Sequence, residues 1–212
     1  MAEQTQGMPE TETESGHEAG VRDRLVDAGV ELVHAEGAQA LSLREIARRA
    51  GVSHGAPRRY FPAHLDLLSA IAREGFGELA DRVAAAVGEE AEGRAGARAQ
   101  LDALARVHLD FASRRRGMYE LMFRHDLLES GRLGLRESSL PLFELLARLA
   151  ARARPEAEEE PAVVAAALWA NLHGIAQLRA WGSLRLALRT DDVEPLLRAV
   201  LDAHLGPAEG AR

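Results

Sequence analysis

Residues 41–68, LSLREIARRAGVSHGAPRRYFPAHLDLL, constrain the fold more tightly than any other stretch of the chain. Leu43, Ile46, Ala47 and Ala50 fall at i, i+3, i+4 and i+7, one apolar helical face. Ser42 stands just before this run and Glu45 three residues after Ser42, the spacing of a capping box. Glu45 also precedes Arg49 by four residues, the favourable order for an ion pair along a helix. Gly51 is the expected stop, because glycine enters the left-handed conformation without strain. Ser53 is expected to cap a second, short helix over His54–Tyr60 that bears Arg58 and Arg59. Two short helices joined in this way form a helix-turn-helix, which lays its second helix in the major groove of DNA.

Charge supports the same reading once its distribution is considered. The chain has 212 residues and a net charge of −7, which by itself disfavours a polyanion as partner. Between Ser42 and Phe61, however, stand five arginines (44, 48, 49, 58 and 59) and one acid, Glu45, a local balance of +4. Acidic residues gather instead in residues 1–20 and around Glu156 to Glu160. A basic patch on an acidic chain suits a regulator that touches few phosphates.

The composition is that of an all-helical protein. Hydrophobic residues make up 47% but aromatics only 4%, and no run of alternating β-branched residues predicts a strand. Cysteine is absent, which excludes disulfides, thiolate metal sites and a thiol nucleophile. The acidic N-terminus lacks the apolar core of a secretory signal, and no stretch approaches about 18 uninterrupted apolar residues. A cytoplasmic location without a membrane span is expected.

Taken in order, residues 1–20 read as a disordered acidic tail. A first helix is expected over Val21 to Glu36, with Leu25, Gly29, Leu32 and Val33 inward and Gly37 as its stop. After the motif, Pro62 opens a long helix from about Ala63 to Val87, in which Gly75 and Gly77 predict a bend. A linker over Gly88 to Gly96 leads to a helix from about Ala97 to Arg116. The triple arginine 114–116 is open to two readings, a nucleic-acid patch or cations at the negative end of a helix. Met118 to Leu128 reads as one helix, and Leu135 to Ala153 as another with Pro141 as a kink or restart. An acidic loop over Pro155 to Pro161 precedes the most apolar helix, Ala162 to Leu186, and Val193 to Leu205 closes the chain. This divides the chain into a tail (1–20), a helix-turn-helix head (21–66), a larger helical body (67–206) and a flexible end (207–212).

The stretch from Leu25 to Leu68 resembles the TetR family of bacterial transcription regulators. The likeness rests on LSLREIARRAGVS, then Gly55-Ala56, Phe61-Pro62 and Leu67-Leu68, after a helix ending in Glu36-Gly37. His108 to Phe123 and Leu168 to Leu178 further resemble the regulatory domain named for a Trp-His-Gly signature, here Trp169, His173 and Gly174. The resemblance implies a homodimer joined through the last two long helices, with a three-helix head on double-stranded operator DNA and a body that binds a small-molecule effector. Many members are repressors that an effector releases. Where many members have an aromatic-x-His-Phe sequence and then a lysine, this chain has Arg58, Tyr60 and His64.

The candidate site residues follow. His54 and Arg58, four apart, could reach base edges, and an arginine there can grip guanine O6 and N7. Ser42, Arg44, Ser53, Arg59, Tyr60 and His64 would meet the phosphate backbone, while Gly55 and Ala56 keep the helix surface low. Tyr60 has a second reading, a ring packed on Phe61. Ligand-pocket candidates are Leu104, His108, Phe111, Tyr119, Met122, Phe123, Phe143, Leu146, Trp169, His173 and Gln177. His173 and Asn171 sit on the most apolar helix and each needs a hydrogen-bond partner, so His173 serves either a ligand or the core.

An enzyme lacks support: there is no nucleophile elbow, phosphate-binding glycine loop, His-Glu-x-x-His or paired-carboxylate setting. No cofactor is implied, and nothing in the sequence brings His108, His125, His173 and His204 together as metal ligands. A helical dimer whose degenerate head makes protein contacts, or a ligand-binding helical protein without DNA, is the other alternative.

Overall fold

The computed structural model describes residues 11–89, 92–130 and 132–207. Among them are eleven α-helices, two short 3-10 turns and no strand, in agreement with the all-helical expectation. Helix α1 (Thr11–Glu36) begins ten residues earlier than expected, so residues 11–20 are helical rather than a disordered tail. Residues 1–10 of that segment, and most of the flexible end at 208–212, lie outside the described residues. α1 buries Val21, Leu25, Leu32 and Val33, and Gly37 ends it at φ 88°. Gly29 brings α1 against the long helix: a Cβ there would lie 2.3 Å from Ile71 Cδ1.

The motif folds as read, with one correction. α2 (Leu43–Arg49) starts at Ser42, whose Oγ accepts the Glu45 backbone N–H at 3.2 Å, a cap contributing ~1 kcal/mol. Gly51 stops it at φ 66°. α3 (Ala56–Tyr60) is shorter than the expected 54–60: Gly55, not Ser53, is its N-cap, and Ser53 serves through its carbonyl, which accepts the Ala56 N–H at 3.0 Å. Pro57 falls in the first turn, where its missing N–H has no helical partner to lose, and its ring is buried.

α4 (His64–Val87) runs unbroken through Gly75 and Gly77. Asp66 secures its start by accepting the Ala63 N–H at 2.8 Å. Gly75 is there for packing: a Cβ would lie 2.6 Å from Met118 Cγ and 2.7 Å from Met122 Sδ. α5 (Gly93–Arg114) packs on α4, and its Gln100 side chain donates to the carbonyls of Val87, the last residue of α4, and of Glu89 just beyond it.

The expected helix Met118–Leu128 is two helices, α6 (Arg116–Met122) and α7 (His125–Ser130), broken at Phe123. α8 (Leu135–Ala153) matches its expected bounds and holds Pro141 on its exposed side, without a restart. The apolar helix ends sooner than expected. α9 (Pro161–Ala180) stops before Gly182 (φ 76°), and α10 (Ser183–Leu188) is separate from it. α9 is the one helix among the described residues long and apolar enough to cross a membrane, yet a third of it is buried, against α5, α8, α10 and α11. α11 (Glu194–Leu205) closes the body, and Arg94, Arg98 and Arg154 donate to the carbonyls of residues 204–206 at its negative end.

One hydrophobic core runs through the whole molecule, from Leu25 and Ile46 in the head to Leu168 and Leu201 in the body. α6 makes the second junction, touching α1, the 3-10 turn at Ala38–Ala40 and α4. Gly117 makes that contact possible: a Cβ there would sit 2.7 Å from the Val33 carbonyl oxygen and 2.9 Å from Gly37 Cα.

Candidate nucleic-acid interface and effector cavity

The arginines of the head divide into two groups. Arg48 and Arg49 both bond Glu45, at 2.6 and 3.0 Å, and Arg49 also reaches Glu36. Those hydrogen bonds, from Arg48 first and then Arg49, hold the Glu45 carboxyl down at about 2. Arg44 and Arg58 are exposed and make no ion pair among the described residues. Glu45 is already counted in the +4 balance, and the pairing of Arg49 with Glu36, outside that stretch, lowers it to +3.

The remaining head candidates are exposed along the same motif: Ser42, Ser53, His54 and Gly55, with Ala56 half-buried. His54 lies in the turn before α3, so it does not share a helical face with Arg58. Arg59 rests over the Tyr60 ring, 5.9 Å from its centroid, and Tyr60 is half-buried against the core. His64 opens α4 and is exposed. Partial burial, and then Arg124, lower its pKa, so its side chain is a neutral imidazole at pH 7.

In the body a cavity of about 230 Å³ lies between α4, α5, α8 and α9. Phe76, Leu79 and Val83 form its α4 wall, and Leu104 and His108 its α5 wall. Phe123, at the break after α6, faces Phe143 and Leu146 of α8 and Trp169 of α9. Of the sequence candidates, Leu104, His108, Phe123, Phe143, Leu146 and Trp169 line the cavity. Phe111, Tyr119, Met122, His173 and Gln177 are not on its wall: Phe111 and Met122 are fully buried core. The α4 wall and Ser139 were missed, although Leu79 and Val83 lie on the apolar face of that helix.

Behind the wall, Tyr119 joins two residues that sequence spacing left apart. Its hydroxyl lies 2.9 Å from His108 Nε2 and 2.7 Å from His173 Nδ1. The hydroxyl has one proton to give, so one imidazole accepts it and the other donates an N–H. Burial, and then His173, push the His108 pKa down to about 4, and burial lowers that of His173 and raises that of Tyr119. All three groups are uncharged at neutral pH. Phe123 packs edge-on to His173 at 5.1 Å and lies 4.7 Å from the Tyr119 ring, joining cavity and relay. Asn171, the other polar group of α9, bonds the Ala167 carbonyl at 2.9 Å and His204 Nε2 at 3.0 Å.

A family profile described as bacterial regulatory proteins, tetR family, matches residues 25–71, which hold the whole helix-turn-helix. A second, the tetracyclin repressor-like C-terminal domain, matches residues 101–204. The chain belongs to the TetR family. As a TetR-family member it is a DNA-binding transcription regulator and not an enzyme. A protein of unknown function from Rhodococcus sp. RHA1 is 30% identical, with 89% of this TetR-family chain and 96% of that one covered, at a TM-score of 0.72. The multidrug binding protein EbrR, solved with imidazole, is 29% identical over 90% of this chain and 97% of that one, with a TM-score of 0.55. A TetR-family transcriptional regulator from Streptomyces coelicolor shares the fold at 23% identity, 88% and 98% coverage and a TM-score of 0.60. No curated protein matches the sequence.

Proposed function

We propose that this TetR-family regulator is a cytoplasmic repressor that binds a pseudo-palindromic operator as a homodimer and leaves it when a small molecule occupies the body cavity. The observation that supports it most strongly is the head itself, a capped α2 and a short α3 presenting Arg44 and Arg58, exposed and without an ion pair among the described residues. In this reading Arg58, with His54 beside it in the turn, meets base edges in the major groove. Ser42, Arg44, Ser53, Arg59, Tyr60 and His64 meet phosphates, and Gly55 and Ala56 permit close approach.

Dimerisation has support in α9 and α11. Val163, Ala166, Ala170 and Leu178 are exposed and Gly174 is half-buried, forming a stripe along α9 with small residues at its middle, and α11 runs alongside it. Two copies packed on this face place two heads for two half-sites, as operator symmetry demands. Small-molecule control has support in the cavity and in EbrR, which has been solved with ethidium and with imidazole. The cavity shares α4 with the head, and α6 touches both the relay and the end of α1. A ligand that prefers a wider spacing of these helices moves the heads off register, by no more than its difference in affinity for the two states.

The test is selection of bound sequences from random duplex DNA at two salt concentrations. The expected result is a consensus of two inverted half-sites with affinity that falls as salt rises. Arg58→Ala should then weaken binding to that consensus by about tenfold or more with unchanged circular dichroism. Recovery of no consensus even at low salt would overturn the reading in favour of a head that makes protein contacts.

A further inference from the structure

We infer that the body cavity selects uncharged, largely apolar molecules bearing one hydrogen-bonding group, and rejects both cations and anions of the same shape. The inference rests on reading this cavity as the effector site and adds the chemistry of what enters it.

Among the described residues the wall holds no Asp, Glu, Arg or Lys. A cation placed inside leaves water without meeting a carboxylate, and an anion does so without meeting a guanidinium; cation–π contact with the ring faces offsets only part of the cation's loss and none of the anion's. Aromatic edges and faces from Phe76, Phe123, Phe143 and Trp169 instead favour a flat apolar body. Polar recognition falls to His108 and Ser139, with Trp169 at the wall.

His108 is the organised one of these. Its Nε2 is taken by the Tyr119 hydroxyl, and its Nδ1 takes no hydrogen bond from a described residue while the ring borders the open cavity. The relay sets what Nδ1 offers. When His173 Nδ1–H donates to Tyr119 and Tyr119 donates to His108 Nε2, His108 Nδ1 holds a proton and is a donor. When Tyr119 donates to His173 instead, His108 Nε2–H donates to Tyr119 and Nδ1 is an acceptor. Either arrangement keeps both rings neutral, so the site takes a hydroxyl or a carbonyl but supplies no charge to balance an ion.

A matched set of naphthalenes tests this: 1-naphthalenemethanol, 1-naphthylmethylammonium and 1-naphthoate, titrated calorimetrically into the full-length protein. The alcohol should bind about 100-fold or more tightly than either ion. Ser139→Trp, and separately Leu146→Trp, should abolish alcohol binding by filling the cavity. His108→Phe should weaken the alcohol about tenfold while leaving 1-methylnaphthalene unchanged. If the ammonium or the naphthoate binds as tightly as the alcohol and Ser139→Trp removes it, the cavity reading stands and selection for neutral ligands is overturned. If none of the three binds, or alcohol binding survives both tryptophan variants in folded protein, the cavity reading itself falls, and this inference with it.

Discussion

Tyr119 holds two imidazoles with one hydroxyl inside the core, and that arrangement makes the body sensitive to acid. In an unfolded chain an imidazole takes up a proton near pH 6.5, whereas His108 in the fold does so only near pH 4. Between those values the unfolded chain binds more protons, so stability is full above pH 6.5 and declines as pH falls toward 4, by on the order of 3 kcal/mol. His173 adds to the decline in the same direction. The urea midpoint of the wild type should therefore drop between pH 7 and pH 5, and that of His108→Phe should drop less. At this scale the wall of the cavity was partly legible, because an interior with so few aromatics makes each one conspicuous. The relay was not: His108, Tyr119 and His173 are separated by 11 and 54 residues, and no local pattern links a side chain to a partner across helices.

Helices with chemical punctuation were read to within a few residues. Ser42 and Gly51 bound α2, Gly37 ends α1 and Gly88 ends α4, each through a cap or a positive φ that the residue type announces. Elsewhere the structure departs from the sequence reading, both where punctuation is missing and where a glycine such as Gly182 was read through. The segment MYELMFRHDLL has no Gly or Pro, so its apolar spacing reads as one helix although the chain turns at Phe123 to face the cavity. α3 starts late because Gly55 rather than Ser53 caps it, which moves His54 into the turn. Gly117 and Gly77 give a paired test of element packing. Gly117→Ala drives a methyl into the backbone of Val33 and Gly37 and should cost about 1–3 kcal/mol, lowering Tm by on the order of 5 °C. Gly77→Ala, whose added methyl meets nothing within 4 Å, should raise stability by up to ~1 kcal/mol.

For the whole molecule the decisive facts are a core continuous from head to body and a large uncovered face on α9 and α10. Trp181 is 67% exposed and Leu186 82%, next to the Val163–Leu178 stripe. Ala170→Glu, in the middle of that stripe, should convert a dimer to a monomer in sedimentation velocity and weaken operator binding, with helical content unchanged. The family resemblance implied a dimer through the last two long helices without marking a face; the periodicity of α9 marks none either, because a helix apolar all round does not distinguish the side meeting its own protomer from the side left open. The seam between α4 and α6 bears on how such a dimer changes shape. Gly75 leaves a flat spot on α4, and Met118 and Met122 lie across it. Branched side chains there would mesh like gear teeth and fix one register, whereas unbranched thioethers adjust to a displaced neighbour at little cost. The joint between the head and the body cavity is built as a bearing rather than a latch.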